Sequence, residues 1–273
     1  MGSILKKRRR NGRPDTLFVG SLAKGFAVLQ AFRLGQRELG SADLGLSEIA
    51  KLSGLDKSAA QRFTNTLVEF GYLEKDLRTR RYRPAIKLAE FYYTYLVSNR
   101  LAEIAMPRLI EASKAYGTTV NLCEPSGPSV IYTIRIPHEK SFYRATIPGR
   151  AMPAFCTAPG HVILASRTDE EVNEVLAASD IKPMTKKTVT DLRKIRALIE
   201  QTRQNGYAIT VEQSLPHEIS TAAPVFNSEG RAIAAVQIPV YMPRWTVEAT
   251  REKIVPIILE TARAVSGSYF EES

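Results

Sequence analysis

Residues 46–84, LSEIAKLSGLDKSAAQRFTNTLVEFGYLEKDLRTRRYRP, constrain the fold more tightly than any other part of the chain. Ser47 and Glu48 open a short helix over Leu46–Leu52, and Ser53-Gly54 breaks it. Asp56 is then placed as N-cap of a second helix, because its carboxylate can accept an orphan amide of the first turn and complements the helix dipole. Leu55, Ala59, Phe63, Leu67 and Phe70 recur at helical spacing on one face, while Ser58, Gln61, Arg62 and Asn65 fall on the other beside Lys57. Gly71 stops the helix. The run from Tyr72 to Arg83 reads as strand, charged turn and strand, closed by Pro84.

Two helices joined by a tight break and followed by a basic hairpin give the order of a winged helix-turn-helix. A recognition helix needs one apolar stripe against its neighbours and short polar or basic side chains at its N-terminal end, where they reach base edges. Lys57, Ser58, Gln61, Arg62 and Asn65 meet that need, and Arg78, Arg80 and Arg81 in the hairpin suit phosphates or a minor groove. The bland alternative is a solvated amphipathic helix. Charge placement favours DNA over it: the net charge is +10, and residues 1–100 carry 19 Lys and Arg against 9 Asp and Glu. Residues 101–273 carry 19 of each. The tail Lys6–Arg10 accounts for only about half of that excess.

Composition excludes several classes. Apolar and charged fractions of 44% and 24% are globular values. No apolar stretch approaches the ~20 residues of a spanning helix, and the basic N-terminal run lacks the apolar core of a signal peptide, so a cytoplasmic protein with no membrane contact is expected. Two cysteines, Cys123 and Cys156, make no disulfide framework. His138, His161 and His217 are scattered, so neither a metal site nor a cofactor is expected.

Residues 1–19 read as a disordered basic arm. A helix is expected after Ser21, with Leu22, Phe26, Leu29 and Phe32 at helical spacing, then a connection over Gly35–Gly45. The DNA-binding domain is bounded at 20–84. A tyrosine-rich helical stretch at 85–100 suits both a connecting helix and a dimer contact, and 101–273 forms the remainder. There, helices are expected at Leu101–Tyr116, Ala158–Ser166, Asp169–Ala177, Thr190–Asn205 and Val247–Ser266. Strands are expected at Thr118–Cys123, Val130–Ile136, Ser141–Ile147, Tyr207–Glu212, Ser220–Phe226 and Ala232–Val240. Mixed helices and antiparallel strands in this order indicate an α+β domain.

The segments SLAKGFAVLQAF and LSEIAKLSGLDKSAAQRFTNTLVEFGYLEKD resemble the N-terminal domain of IclR-type bacterial transcriptional regulators. GRAMPAFCTAPGHVILA, NGYAITVEQ and STAAPVFNSEGRAIAAV resemble three later blocks of that family, so the likeness covers about Ser21 to Ala264. It implies a winged helix-turn-helix, a linker helix and a GAF-like α+β effector domain that senses a small organic acid. It also implies dimers or tetramers on double-stranded DNA. The pocket positions it implies are Met152, Phe155, Cys156, Thr157, Ala158, Pro159, Val211, Ser220, Gln237 and Pro239, with amides at the helix start near Thr157 donating to an acidic effector. Val211 stands where the family often has an acid, His161 where it has Lys, and His217 where it has Gly. With Gln237 and Pro239 in place of small hydroxyl residues, a less polar pocket and a larger or aromatic acid are expected.

An enzyme carrying an accessory basic module is the competing reading. Its only tempting nucleophile is Cys156, five residues before His161, with no third orienting residue visible. An architectural or RNA-binding protein without a sensor is a third reading.

Overall fold

A computed structural model describes residues 9–10, 13–14, 17–138 and 147–271. The chain divides into two compact units, residues 1–95 and 96–273.

Of the expected basic arm, strands β1 (Arg9–Arg10) and β2 (Arg13–Pro14) are described and pair antiparallel. Helix α1 spans Gly20–Glu38. It starts one residue ahead of the expected cap: Val19 takes the extended N-cap conformation with no side-chain cap, and Ser21 lies in the first turn. Its buried face also differs from the expected stripe. Ala23, Ala27, Val28, Ala31 and Phe32 are buried, whereas Leu22 and Phe26 are exposed. Alanines let α1 approach its neighbours closely around buried Val28 and Phe32, while Leu22 and Phe26 turn outward. Gly35 does not end the helix, because it serves packing. A Cβ there would lie 2.7 Å from Leu44 Cδ2 and 2.9 Å from the Ser41 carbonyl oxygen.

Helix α2 (Leu46–Ser53) ends on Gly54, whose φ of 70° is left-handed and costs glycine little. Helix α3 (Lys57–Glu69) begins as expected, Asp56 accepting from the Ala59 amide at 2.8 Å. Ala60 and Thr64 are its fully buried positions, Phe63 and Leu67 are half-buried, and Phe70 is exposed. Strands β3 (Leu73–Lys75) and β4 (Tyr82–Pro84) form the hairpin, and Tyr82 also bridges to Leu44. Helix α4 (Leu88–Ser98) has no buried residue; Phe91, Tyr93, Tyr95 and Val97 are exposed.

The second unit is built on a six-stranded antiparallel sheet in the order β7-β6-β5-β10-β9-β8, comprising β5 (Val120–Ser126), β6 (Ser129–Ile136), β7 (Ala151–Pro153), β8 (Ala208–Val211), β9 (Glu218–Phe226) and β10 (Ala232–Tyr241). The strand expected at Ser141–Ile147 lies, Ile147 apart, outside the described residues, and the short β7 was not expected. Helices α5 (Arg100–Tyr116) and α9 (Val247–Glu271) pack on one face, on Leu122, Ile219, Val236 and Ile238. The other face, with Cys123, Ala222 and Ala235, is covered by a 3-10 turn (Ala154–Cys156) and helix α6 (Ala158–Ala165), backed by α7 (Asp169–Ala178) and α8 (Leu192–Asn205). Alternation along each strand sends successive side chains to these two cores.

Candidate DNA interface and effector pocket

Burial of Ala60 and Thr64 turns the opposite face of α3 outward, and Lys57, Ser58, Gln61, Arg62 and Asn65 are all exposed there. In the hairpin, Arg78 and Arg80 are exposed at a turn organised by Asp76. Its carboxylate accepts from the amides of Thr79 at 3.1 Å and Arg78 at 2.8 Å, which holds it below the usual carboxylate range. Arg80 sits at φ 56°, a left-handed position held by its backbone N–H donating to the Asp76 carbonyl oxygen at 2.8 Å.

Arg81 departs from the expected role. Its guanidinium donates to Asp43 Oδ1 at 3.1 Å, the Asp43 carbonyl at 2.6 Å and Glu48 Oε2 at 2.8 Å. The same Glu48 oxygen accepts from the Gly45 amide at 2.7 Å at the start of α2. Arg81 therefore pins the hairpin to the helices. Sequence position beside Arg78 and Arg80 hides this difference, because those two stay exposed in the turn while Arg81, just before β4, meets Asp43 and Glu48.

Nine of the ten expected pocket positions are buried, six around β7 and the start of α6 and three on the sheet. Met152, Phe155, Cys156, Thr157, Ala158 and Pro159 are buried on the β7–α6 side, and Ser220, Gln237 and Pro239 are buried on the sheet side. Val211 is the exception. It pairs with Ile219 and packs with it among the α5 and α9 side chains, so its neighbour Thr210, paired with Ser220, takes the pocket-facing place. The helix start is also poorer in free amides than expected. Pro159 has none, and the Gly160 amide donates to Thr157 Oγ1 at 3.3 Å, which leaves Ala158 to donate.

The sheet side is more polar than the motif comparison implied. Gln237 donates to Ser220 Oγ at 2.7 Å and accepts from Asn121 Nδ2, whose own Oδ1 is buried with no hydrogen-bond partner. Glu218 opens β9 on the same face as Ser220, paired with Tyr241, and is 2% exposed. Among the described residues its carboxylate receives two long hydrogen bonds, from Ser214 Oγ at 3.4 Å and Tyr241 OH at 3.5 Å. Burial pushes its pKa up to about 7, against the opposing pull of Ser214, Arg150, Tyr241 and Arg135. Asn121 and Glu218 were missed by the sequence reading. The visible signal for Glu218 is a carboxylate at the head of β9, a strand with no other charged residue. His217, just before it, adopts φ 61°, which accounts for glycine at that place in the resembling family.

One cavity, of about 360 Å³, lies between α7 and α8, but its polar groups already serve one another: Arg196 donates to Asn173, and Arg203 pairs with Glu200 and Asp169. A second cleft of about 280 Å³ opens at the end of the sheet, lined by Arg135, Pro239, Tyr241, Arg244, Trp245 and Lys253 among others.

Nucleophilic catalysis finds no support. Burial pushes the Cys156 thiol up to about 12, and Sγ faces Met184 Sδ at 3.7 Å. His161 Nε2 is occupied by the Phe155 carbonyl at 2.8 Å, and burial holds the ring below its ordinary pKa. Among the described residues no group of His, Cys, Asp and Glu could hold a metal, and no helix is long and apolar enough to cross a membrane.

Comparison with known proteins agrees with this architecture. Residues 21–77 match the family model of the IclR helix-turn-helix domain, and residues 93–267 match that of the bacterial transcriptional regulator IclR C-terminal domain. The Pca regulon regulatory protein of Pseudomonas putida is 30% identical over 261 residues, 95% of this chain and 86% of that protein. A transcriptional regulator of Rhodococcus sp. RHA1 has a solved structure that superposes with a TM-score of 0.73 at 28% identity, covering 92% of this chain and 98% of that one. An IclR homologue of Microbacterium hydrocarbonoxydans, solved in complex with 4-hydroxybenzoate, shares the fold with a TM-score of 0.70 at 23% identity, over 93% and 100% of the two chains. The chain belongs to the IclR family of transcriptional regulators, with a helix-turn-helix DNA-binding unit followed by an α+β effector-binding unit.

Proposed function

We propose that α3 enters the major groove of an operator with Lys57, Ser58, Gln61, Arg62 and Asn65 toward the bases, while Arg78 and Arg80 of the wing hold phosphates. The observation that carries this reading is the wholly exposed polar face of α3 over its buried Ala60 and Thr64. Residues 20–84 form the DNA-binding domain and 85–100 the linker, while 101–273 is the effector and oligomerisation domain of a cytoplasmic protein. The effector is a small organic acid held between α6 and the sheet, by Thr157, Ala158, Ser220 and Gln237 among others. An aromatic acid is favoured by the neighbour of the same fold that holds 4-hydroxybenzoate. Self-association as a dimer or tetramer adds to the 101–273 domain the apolar side chains left exposed on α1 and α4, Leu22 and Phe26 on one and Phe91, Tyr95 and Val97 on the other.

The test is binding of the full chain to upstream genomic fragments, with two variants compared on the preferred fragment and on altered ones. Arg62→Ala relaxes sequence preference, and Arg80→Ala weakens every fragment by a similar factor. Equal effects of both on all fragments contradict this division of roles. Absence of binding to every fragment at low salt contradicts the whole reading.

A further inference from the structure

Among the expected pocket positions Phe155, Cys156, Ala158 and Gln237 are completely buried, so a small molecule reaches them only if some element moves aside. The sheet does not, because it is paired strand to strand. Nor does α6: a Cβ on its Gly160 would already overlap the Ala154 backbone of the 3-10 turn. The connection between α7 and α8 is different. Residues 179–191 contain neither helix nor strand. Among the described residues, the backbone–backbone hydrogen bonds of 181–189 are local, from Lys182 to the Asp180 carbonyl at 2.9 Å and from Thr188 to the Thr185 carbonyl at 3.3 Å.

Every described tie from this strap to its surroundings involves a side chain. Met184 Sδ lies 3.7 Å from Cys156 Sγ, and Ile181 and Val189 pack on the same core. Thr185 Oγ1 donates to the Glu212 carbonyl, Thr188 Oγ1 donates to the Gln213 carbonyl at 2.6 Å, and the Val189 amide reaches Gln213 Oε1 at 3.4 Å. Those acceptors belong to the link that leads from β8 into Glu218 and Ser220 on the sheet. Glu212 and His217 in that link hold left-handed φ values of 52° and 61°, conformations that persist only where neighbours fix them. The strap therefore joins Cys156 on one wall to the root of β9 on the other.

Charge around the strap is one-sided, although residues 101–273 carry as many acids as bases. Lys186, Lys187, Arg193 and Lys194 are exposed and make no ion pair among the described residues. Arg193 and Lys194 stand in the first turn of α8, where the helix dipole disfavours cations, whereas α7 opens on Asp169, Glu170 and Glu171 as the dipole prefers. Departures from local preference of this kind concentrate at functional sites.

We propose that residues 181–189 are the door of the effector pocket, latched by Thr185 and Thr188, and that the four cations beside it draw an anionic effector to the opening. A segment held by few contacts opens at lower cost than the whole domain unfolds, and a cluster of one sign concentrates the opposite one. This inference rests on the reading that a small organic acid binds between α6 and the sheet.

Thiol labelling of the full chain tests the door without an effector, because Met184 of the strap lies on Cys156, whereas Cys123 sits in the paired strand β5. With neutral N-ethylmaleimide, peptide mapping should show Cys156 labelled about tenfold or more faster than Cys123. Thr188→Val should raise the Cys156 rate by about tenfold and leave unchanged the Cys123 rate, which reports global unfolding. Should Thr188→Val raise both rates, Thr185→Val removes the other latch and is read in the same way. Equal rates at the two cysteines, or a Cys156 rate indifferent to both latch variants, overturn the door. Lys186→Glu combined with Lys187→Glu should slow labelling by dithiobis-nitrobenzoate, a dianion, severalfold at low salt and slow the maleimide little. Equal effects on the two reagents overturn the role of the cations. Bound 4-hydroxybenzoate or benzoate should slow Cys156 labelling. If neither acid does so while the latch variants act as expected, the organic-acid reading fails and the opening of the strap stands by itself.

Discussion

Glu218 retains its proton in the folded chain over a pH range in which the unfolded chain has lost it. Its carboxyl rises from an ordinary 4.5 to about 7, so between those values the folded state binds more protons than the unfolded one. Stability therefore declines as pH rises through this window, and the residue costs about 3 kcal/mol once both states are ionised. Glu218→Gln removes this dependence. Urea midpoints of the variant should exceed those of the parent at pH 8 and approach them near pH 5, and parallel pH profiles would falsify the assignment. Arg81 yields a prediction of the opposite kind. Arg81→Ala releases Asp43 and Glu48 and should lower the stability of the first unit by roughly 1–2 kcal/mol, discounted for partial exposure. Arg80→Ala, measured by the same melt, should leave stability nearly unchanged. At this scale the sequence was readable where periodicity decides facing, as for Gln61 and Arg62. It was not readable for Val211, where a difference of one residue along the strand exchanges one core for the other, or for Arg81, whose partners Asp43 and Glu48 lie 38 and 33 residues away in the sequence.

Helices α2 and α3 announced themselves through the Gly54 stop, the Asp56 cap and the helical spacing of Ala59, Phe63 and Leu67, all signals local to about a dozen residues. Helix α1 was harder to read, since its buried face rests on alanines and on Gly35, and the reason lies in Leu44 and Ser41 pressing against it. The junction of the 3-10 turn with α6 behaves in the same way. A Cβ on Gly160 would stand 2.1 Å from the Ala154 carbonyl oxygen and 2.4 Å from Ala154 Cα, and both are main-chain atoms. Gly160→Ala should therefore destabilise the second unit by more than about 3 kcal/mol, because no side chain can move aside. It should also weaken effector binding, since the strain falls on Thr157 and Ala158. Thermal melts of residues 96–273 within the full chain, with and without a bound acid, measure both effects.

Across the whole chain, the clearest sign of division was charge: the excess of +10 lies in the first hundred residues. Polyelectrolyte physics ties that excess to salt. In a dimer, Arg78 and Arg80 of each subunit would neutralise about four phosphates, so log affinity should fall with log salt with a slope of about −4, and Arg80→Ala should reduce its magnitude by about 2. Titrations at four salt concentrations decide this, and a slope unchanged by the substitution removes Arg80 from the phosphate contacts. The order of elements and the family were legible in the sequence, whereas the chemistry of the pocket was not. That chemistry depends on Asn121, Glu218 and Gln237, separated by about a hundred residues and united only when β5, β9 and β10 pair. The sheet-end cleft also holds the chain's single tryptophan, Trp245. Ultraviolet emission from this protein thus comes with one indole as its source, placed beside Arg135 and Tyr241, and the molecule carries its own unlabelled optical reporter at that wall.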